Sequence, residues 1–212
     1  MEDWQKAFYD CGIIPVVVLD DEKDAVPVAD ALYEGGITAA EITFRTSAAA
    51  GSIAAISKRH PDMFVGAGTV LNEEQVDQAI AAGSKFIVAP GTNAHTIAYC
   101  QKKGIPFVPG VCTPSDIERA LEYGLEYLKF FPAEASGGLK MIKALAGPYV
   151  NVSFMPTGGV SPENVRDYLS YEKIFACGGT WLTKKDMIQS GNFEKIHELA
   201  EQASSIVKEV RK

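Results

Sequence analysis

The sequence predicts an α/β protein, a single-domain (β/α)8 barrel of the TIM type that is preceded by an extra N-terminal helix. Short apolar runs rich in β-branched residues recur at fairly even spacing, and segments with apolar residues three and four positions apart lie between them. Alternation of strand and helix requires right-handed crossovers and therefore a parallel sheet. Because no linker or low-complexity segment interrupts the 212 residues, we expect one domain over residues 1–212.

Eight apolar runs are predicted as strands, namely residues 13–19, 39–44, 63–67, 86–89, 107–110, 127–131, 152–156 and 174–176. The predicted helices include residues 24–34, 73–82, 115–123 and 162–170, and an amphipathic segment at 2–10 precedes the first strand. Capping residues or proline open several of these helices, and glycine ends several. Without the N-terminal segment, roughly 25 residues remain for each of eight units, the lower end for such a barrel.

A doubly wound dinucleotide-binding sheet is the alternative architecture. It requires the pattern GxGxxG directly after a strand. The nearest match, at residues 66–71, lacks the third glycine. The barrel is therefore the favoured interpretation.

Composition and charge exclude several classes of function. The chain is 47% hydrophobic and 22% charged, an ordinary globular balance. Its formal net charge of −7 argues against a nucleic-acid binder, although a few local cations or backbone N–H groups can still bind a small anion. The first apolar run spans only residues 13–19 and follows acidic residues, so we expect no membrane or targeting segment. Four cysteines without a CxxC pair predict a reduced, cytoplasmic protein with buried thiols.

The second predicted strand carries three polar residues on one face. Ile42 and Phe44 suit the side that faces the helices, which places Glu41, Thr43 and Arg45 on the inward face. A solvated edge strand would also explain such polarity. Because a barrel has no edges, a functional role is the better interpretation.

The sixth predicted strand contains a lysine among apolar residues. Alternation places Leu128 and Phe130 outward and Lys129 inward, whereas Lys85 and Lys173 precede their strands, where a solvated charge is expected. An ammonium is costly to bury without a partner, and a neutral lysine in such a place is the usual Schiff-base nucleophile. A structural ion pair between Lys129 and Glu41 is the alternative.

Two glycine pairs follow the seventh and eighth predicted strands. They are Gly158-Gly159 and Gly178-Gly179, and each precedes a helical segment. The loops after these two strands form the usual phosphate site of this barrel, built from backbone N–H groups and helix N-termini. Two pairs in these positions therefore predict a phosphorylated ligand.

Metal chemistry is not expected from the histidines and cysteines. His60, His95 and His197 lie in or beside helical segments and form no HxxxH, HxH or Cys/His cluster. The sequence also lacks a GxSxG elbow and a Walker motif. We therefore expect no metal.

Six motifs in order resemble the 2-keto-3-deoxy-6-phosphogluconate (KDPG) aldolase family, the class I aldolases of the Entner-Doudoroff pathway. They are Glu-Ile-Thr-Phe-Arg-Thr at 41–46, Gly-Ala-Gly-Thr-Val at 66–70, Pro-Gly at 90–91, Lys-Phe-Phe-Pro-Ala-Glu at 129–134, Pro-Thr-Gly-Gly at 156–159 and Gly-Gly-Thr-Trp at 178–181. The terminal helices fit the same family.

The resemblance implies roles for particular residues. Lys129 would form the Schiff base, and Glu41 would act as the general acid/base. The implied substrate-binding residues are Arg45 and Thr69 for the pyruvate carboxylate, Pro90 and Phe131 for the pocket walls, Gly158, Gly159, Gly179 and Thr180 for the phosphate, and Thr157 for a hydroxyl. Family members often carry Ser where Thr180 stands, which leaves the substrate preference open.

The resemblance also implies an activity, which is the reversible cleavage of KDPG to pyruvate and glyceraldehyde 3-phosphate. It implies a homotrimer that needs no metal, and we expect no cofactor. Together with the composition and the cysteines, the expectation is a cytoplasmic protein that binds neither nucleic acid nor membrane. The same chemistry on the galactonate epimer or on 4-hydroxy-2-oxoglutarate is an alternative. Two other classes also remain, a sugar-phosphate isomerase of tryptophan or histidine biosynthesis type and a binding module that forms no imine.

Overall fold

The computed structural model describes residues 2–211, in which short strands alternate with helices. The strands are β1 (Ile13–Val17), β2 (Ala39–Thr43), β3 (Phe64–Gly68), β4 (Ile87–Val88), β5 (Phe107–Val108), β6 (Gly110–Val111), β7 (Tyr127–Phe130), β8 (Ser153–Pro156) and β9 (Cys177–Gly179). The α-helices are α1 (Asp3–Cys11), α2 (Ala25–Glu34), α3 (Ala49–Arg59), α4 (Glu73–Ala81), α5 (Ala94–Lys103), α6 (Pro114–Glu122), α7 (Gly138–Ala146), α8 (Val165–Leu169), α9 (Lys185–Gln189) and α10 (Phe193–Val210). Short 3₁₀ helices cover Glu22–Asp24, Glu134–Ser136 and Trp181–Thr183.

The strands form two parallel sheets that lie next to each other. One has the order β5-β4-β3-β2-β1-β9, and the other has the order β6-β7-β8. Isolated parallel bridges join Phe154 to Ile174 and Thr157 to Gly178, and only Pro109 separates β5 from β6. The chain therefore has an α/β fold with a curled parallel sheet, as the alternation of elements predicts.

The last predicted strand is wrong in its position. The sequence predicts it at residues 174–176, whereas the strand that pairs with β1 is Cys177–Gly179, in the register Ile13 to Cys177 and Ile14 to Gly178. A Cβ atom on Gly178 would lie 2.2 Å from Thr157 Oγ1. Gly178 is therefore explained by the close approach of the neighbouring chain segment. From the sequence alone, such a glycine is interpreted as part of a turn.

Other boundaries shift by a few residues. The fifth predicted strand, 107–110, is interrupted at Pro109, because proline has no N–H to donate to a neighbouring strand. The predicted helix at 162–170 begins only at Val165, after a turn, and residues Glu22–Asp24 form a 3₁₀ turn before α2. Such shifts of a few residues at element ends are normal.

Helix α1 covers one end of the sheet with aromatic side chains. Phe8 is fully buried, and its ring centroid lies 4.7 Å from that of Phe86 and 6.3 Å from that of Phe64. The Trp4 ring contacts Tyr127 edge to face, with centroids 5.5 Å apart. Such pairs add to the stabilisation from burial of the rings. The N-terminal amphipathic segment is therefore part of the packed core.

Three cations, two lysines just before strands and the arginine that follows α10, donate hydrogen bonds to backbone carbonyls. Lys85 donates to the carbonyls of Pro61 and Met63, and Lys173 donates to that of Val150. Both lysines are half-buried, and the bonds to Pro61 and Val150 lie at the exposed surface, so a solvated charge at these two positions stays the interpretation. The Arg211 guanidinium acts similarly on the segment before β9, where it donates to the carbonyls of residues 174 and 175.

Three of the four cysteines are buried, as the sequence predicts, while Cys112 is only half-buried. Burial raises the pKa of the Cys100 thiol to about 12. Within residues 2–211, no helix combines the length and the apolar character that crossing a bilayer requires.

Candidate active site

A lysine and a glutamate from different strands contact each other on the inward face of the curled sheet. Lys129 lies on β7 and Glu41 on β2, and Lys129 Nζ lies 3.3 Å from Glu41 Oε1. The side chains are 4% and 0% exposed. Lys129 is thus directed inward, as strand alternation predicts, and the expected partner is the one it contacts.

The second oxygen of Glu41 has no hydrogen-bond partner. Glu41 Oε2 is buried, and no group among residues 2–211 donates to it. A buried carboxylate oxygen normally accepts a hydrogen bond, and leaving one unpaired costs free energy. A purely structural ion pair would not explain this oxygen.

Glycine at position 68 provides the space for the carboxylate. A Cβ atom on Gly68 would lie 2.0 Å from Glu41 Oε1 and 2.4 Å from its Cδ. On the other side of the site, Lys129 is paired in register with Gly110 of β6. A Cβ atom on Gly110 would lie 2.2 Å from the carbonyl oxygen of Pro90, so the loop after β4 packs directly on this strand.

Phe131 and Pro90, the two residues predicted to wall the pocket, both lie close to the lysine strand. Lys129 Nζ is 5.5 Å from the centroid of the Phe131 ring, within cation–π range. Both Phe131 and Pro90 are half-buried. Thr92, two residues after Pro90, donates its hydroxyl to the Gly110 carbonyl at 2.7 Å, which fixes the loop next to the lysine strand.

The predicted inward trio of β2 holds for two of its three residues. Glu41 and Thr43 are fully buried, and the Thr43 hydroxyl donates to the Val17 carbonyl at 3.1 Å. Arg45 is exposed and lies in the turn after β2, so its place on the inward face of a strand is wrong. The reason is that β2 ends at Thr43, where the chain turns toward α3. Arg45 is nevertheless at the same end of the sheet as Glu41.

Thr69 has an unusual backbone conformation directly after β3. Its φ is +57°, and within residues 2–211 no other residue except glycine has a positive φ. A β-branched residue in this region is a true outlier, and such outliers concentrate at functional sites. The positive φ of the half-buried Thr69 therefore marks it as a candidate site residue, and the sequence alone does not reveal this backbone conformation.

The two glycine pairs lie side by side. Thr157, directly after β8, forms an isolated bridge with Gly178 in β9. Gly158 and Gly159 have φ of +98° and +79°, so they form a true loop. Gly178 and Gly179 belong instead to β9, and their placement in a loop after the last strand is wrong.

The remaining predicted residue of this region is Thr180. It is exposed and directly follows β9, at the start of a short 3₁₀ helix. Gly179 just before it is buried, and a Cβ atom there would lie 2.5 Å from the ring of Trp181. Thr180 is thus the first residue of this segment that faces solvent.

Sequence reasoning missed two features of the site. One is the set of strand glycines next to the charged pair, Gly66, Gly68 and Gly110. A glycine within a strand pattern is a known sign of close approach and could have revealed them. The other is Glu134, the last residue of the lysine motif, which accepts a hydrogen bond from the hydroxyl of Tyr168. No three His, Cys, Asp or Glu side chains of the described chain are grouped to bind one metal ion.

Comparison with known proteins gives a consistent result. The family model for KDPG and KHG aldolase matches residues 5–199. The 2-dehydro-3-deoxy-phosphogluconate aldolase of Haemophilus influenzae is 48% identical over 196 residues, which cover 92% of each chain. KDPG aldolase from Legionella pneumophila, with pyruvate captured as a covalent carbinolamine, is 36% identical with a TM-score of 0.92 over 95% of this chain and 98% of its own. The Zymomonas mobilis 2-keto-3-deoxy-6-phosphogluconate aldolase with 3-phosphoglycerate is 38% identical, with a TM-score of 0.89 over 97% of each chain. By its matched family model and these relatives, the chain belongs to the KDPG and KHG aldolase family.

Proposed function

We propose that this chain is a class I aldolase that cleaves KDPG reversibly to pyruvate and glyceraldehyde 3-phosphate. The observation that carries the proposal is the buried contact between Lys129 and Glu41, whose second oxygen has no partner. A lysine next to a proton-transfer group is the arrangement that Schiff-base chemistry requires. The pyruvate carbinolamine of the L. pneumophila relative supports the same chemistry.

Lys129 and Glu41 divide the chemical work between them. The neutral Lys129 amine attacks the C2 ketone to form a carbinolamine, and Glu41 delivers the proton with which water leaves as the protonated imine forms. Glu41 then takes the proton of the C4 hydroxyl, the bond between C3 and C4 breaks, and its electrons move into the imine to form an enamine. The aldehyde leaves, Glu41 returns its proton to C3 of the enamine, and water hydrolyses the resulting protonated imine to release pyruvate and the Lys129 amine.

The substrate would be held at both of its charged ends. Arg45 binds the carboxylate with its planar pair of N–H groups, and Thr69 adds a contact from its strained turn. Phe131 and Pro90 shape the apolar wall, and Thr157 contacts a substrate hydroxyl. Backbone N–H groups of Gly158, Gly159, Gly179 and Thr180 bind the phosphate. The side-by-side position of these two segments supports that assignment.

We further propose a closed eight-stranded barrel with α1 packed at its N-terminal end. The continuation of β5 into β6 and the bridges between β8 and the β9 segment support closure. The proposal also includes a cytoplasmic homotrimer. Light scattering coupled to size-exclusion chromatography tests the trimer mass.

Steady-state turnover tests the function. Pyruvate release is followed with lactate dehydrogenase on KDPG, its galactonate epimer and 4-hydroxy-2-oxoglutarate. The proposal predicts the highest kcat/KM on KDPG and a large loss without the phosphate. Equal turnover on the epimer would widen the assignment to both sugars, and faster turnover on 4-hydroxy-2-oxoglutarate would overturn it. Lys129→Arg is the control, because it keeps a positive charge but cannot form an imine.

A further inference from the structure

Glu134 connects two parts of the proposed site that are distant in sequence. Its backbone N–H donates to the Gly158 carbonyl at 3.0 Å, and the preceding N–H, of Ala133, donates to Thr157 O at 2.8 Å. The segment that follows the lysine strand is therefore paired with the glycine loop that follows β8. Movement of one segment would disturb the other.

The side chain of Glu134 lies against the same loop. A Cβ atom on Gly159 would be 2.6 Å from both Cβ and Cγ of Glu134, so the aliphatic part of this side chain packs on the loop backbone. Its carboxylate then accepts a hydrogen bond from Tyr168, on α8. Gly138 leaves room for the pair, since a Cβ atom there would lie 3.0 Å from Glu134 Oε1 and 3.1 Å from the Tyr168 hydroxyl.

The hydroxyl of the buried Tyr168 is the donor in the hydrogen bond to Glu134. Tyr168 is 2% exposed. Burial and the hydrogen bond to Glu134 raise the pKa of this hydroxyl above its ordinary value. It therefore stays protonated throughout the physiological range. A hydrogen bond to a carboxylate is about twice as strong as one between neutral groups.

Asn164 makes a second set of hydrogen bonds to the same loop. Asn164 donates its side-chain N–H to the Gly159 carbonyl at 3.1 Å and accepts from the backbone N–H of Ser161 at 2.9 Å. The glycine loop is thus fixed between Asn164 and Glu134. Such fixing matters because backbone N–H groups bind an anion only when they point at one place.

We infer that Glu134 and Tyr168 are positioning residues that hold the Gly158-Gly159 loop in its phosphate-binding shape. Neither touches the reacting atoms. The inference rests on the proposed function, since it assumes that this loop binds the phosphate. In the proposed function pyruvate binds at Lys129 and has no phosphate to place in this loop, so imine formation with pyruvate should not depend on the pair.

The test compares two ligands in Tyr168→Phe, which removes one hydroxyl and keeps the buried ring. The probes are inorganic phosphate, as a competitive inhibitor of cleavage, and pyruvate, trapped on Lys129 with borohydride. We expect the phosphate inhibition constant and the KM for KDPG to rise roughly tenfold, which equals about 1.4 kcal/mol. We expect kcat and the rate of pyruvate trapping to stay near the wild-type values.

Three further variants separate positioning from general stability. Glu134→Gln keeps an acceptor for the tyrosine and should retain most phosphate affinity, whereas Glu134→Ala should lose it as Tyr168→Phe does. Tyr149→Phe is the matched control, because the Tyr149 hydroxyl donates to Glu118 at 2.9 Å on another surface. It should change neither probe.

Unchanged phosphate inhibition in Tyr168→Phe and Glu134→Ala would overturn the inference, as would an equal loss of pyruvate trapping and phosphate binding. Failure of the proposed function gives a different result, because the wild-type protein itself would then form no pyruvate adduct or show no phosphate inhibition.

Discussion

A single added methyl group at Gly68 should separate Glu41 from Lys129. The Cβ of Gly68→Ala would lie 2.0 Å from Glu41 Oε1. Because nonbonded atoms need about 3.5 Å, the carboxylate must withdraw by roughly 1.5 Å. A misplacement of about 1 Å in a catalytic group can cost roughly 100-fold in rate. We therefore expect kcat for KDPG cleavage to fall at least about 100-fold.

The assay must distinguish this displacement from unfolding. Forcing a methyl group into a packed site typically costs about 1–3 kcal/mol. For a chain of this size, each kcal/mol of lost stability lowers Tm by roughly 2–4 °C, so the variant should remain folded at room temperature. Prolonged incubation with pyruvate and borohydride should still label Lys129, because the lysine is unchanged.

Gly147→Ala provides the matched control. Gly147 has an α-helical φ of −57°. A Cβ atom there would meet only the Ala144 carbonyl, at 3.4 Å. We expect wild-type kcat from it. A folded Gly68→Ala protein that turned over KDPG as fast as this control would refute the reasoning, because the position of Glu41 would then not matter.

Three other variants test separate parts of the structure. Glu41→Gln should keep some imine formation with pyruvate but lose about 10²–10⁴-fold in kcat, and unchanged turnover would remove Glu41 from proton transfer. Asp30→Asn tests a pH effect, because the Arg59 guanidinium holds the pKa of the Asp30 carboxyl below its usual range. The Asp30 carboxylate therefore stabilises the folded protein above the unfolded pKa of about 4, and this stabilisation is lost as the pH falls through the folded pKa. The Tm of Asp30→Asn should match that of the wild type in acid and be lower than it at pH 7. Arg211→Met should lower the unfolding free energy by about 1.5–3 kcal/mol through loss of its bonds to the residue 174 and 175 carbonyls, without changing Lys129 labelling. Equal Tm values for this variant and wild type would contradict that role.

Strand alternation was enough to predict the two residues at the centre of the site. It placed Lys129 and Glu41 on inward faces, and the structure brings them into contact. It misplaced Arg45, because alternation says nothing about where a strand ends. The turn at the end of β2 is set by the connection to α3, which local sequence does not specify.

The glycines show a different limit of sequence reasoning. Gly178 and Gly179 have the composition of a loop but occupy a strand. Thr157 leaves no room for a side chain at Gly178, and the Trp181 ring leaves none at Gly179. A glycine required by a tertiary contact has the same appearance in sequence as one required by a turn. Contacts between distant segments explain the second miss as well, since Glu134 acts through Tyr168, which is 34 positions away.

Trapping the imine tests the central claim most directly. The protein is incubated with pyruvate and sodium borohydride, digested, and analysed by mass spectrometry. A Schiff-base mechanism at the buried Lys129 predicts a pyruvate-derived adduct on the peptide that contains Lys129, and its absence from Lys129→Arg. No adduct, or an adduct on one of the exposed lysines alone, would contradict the account.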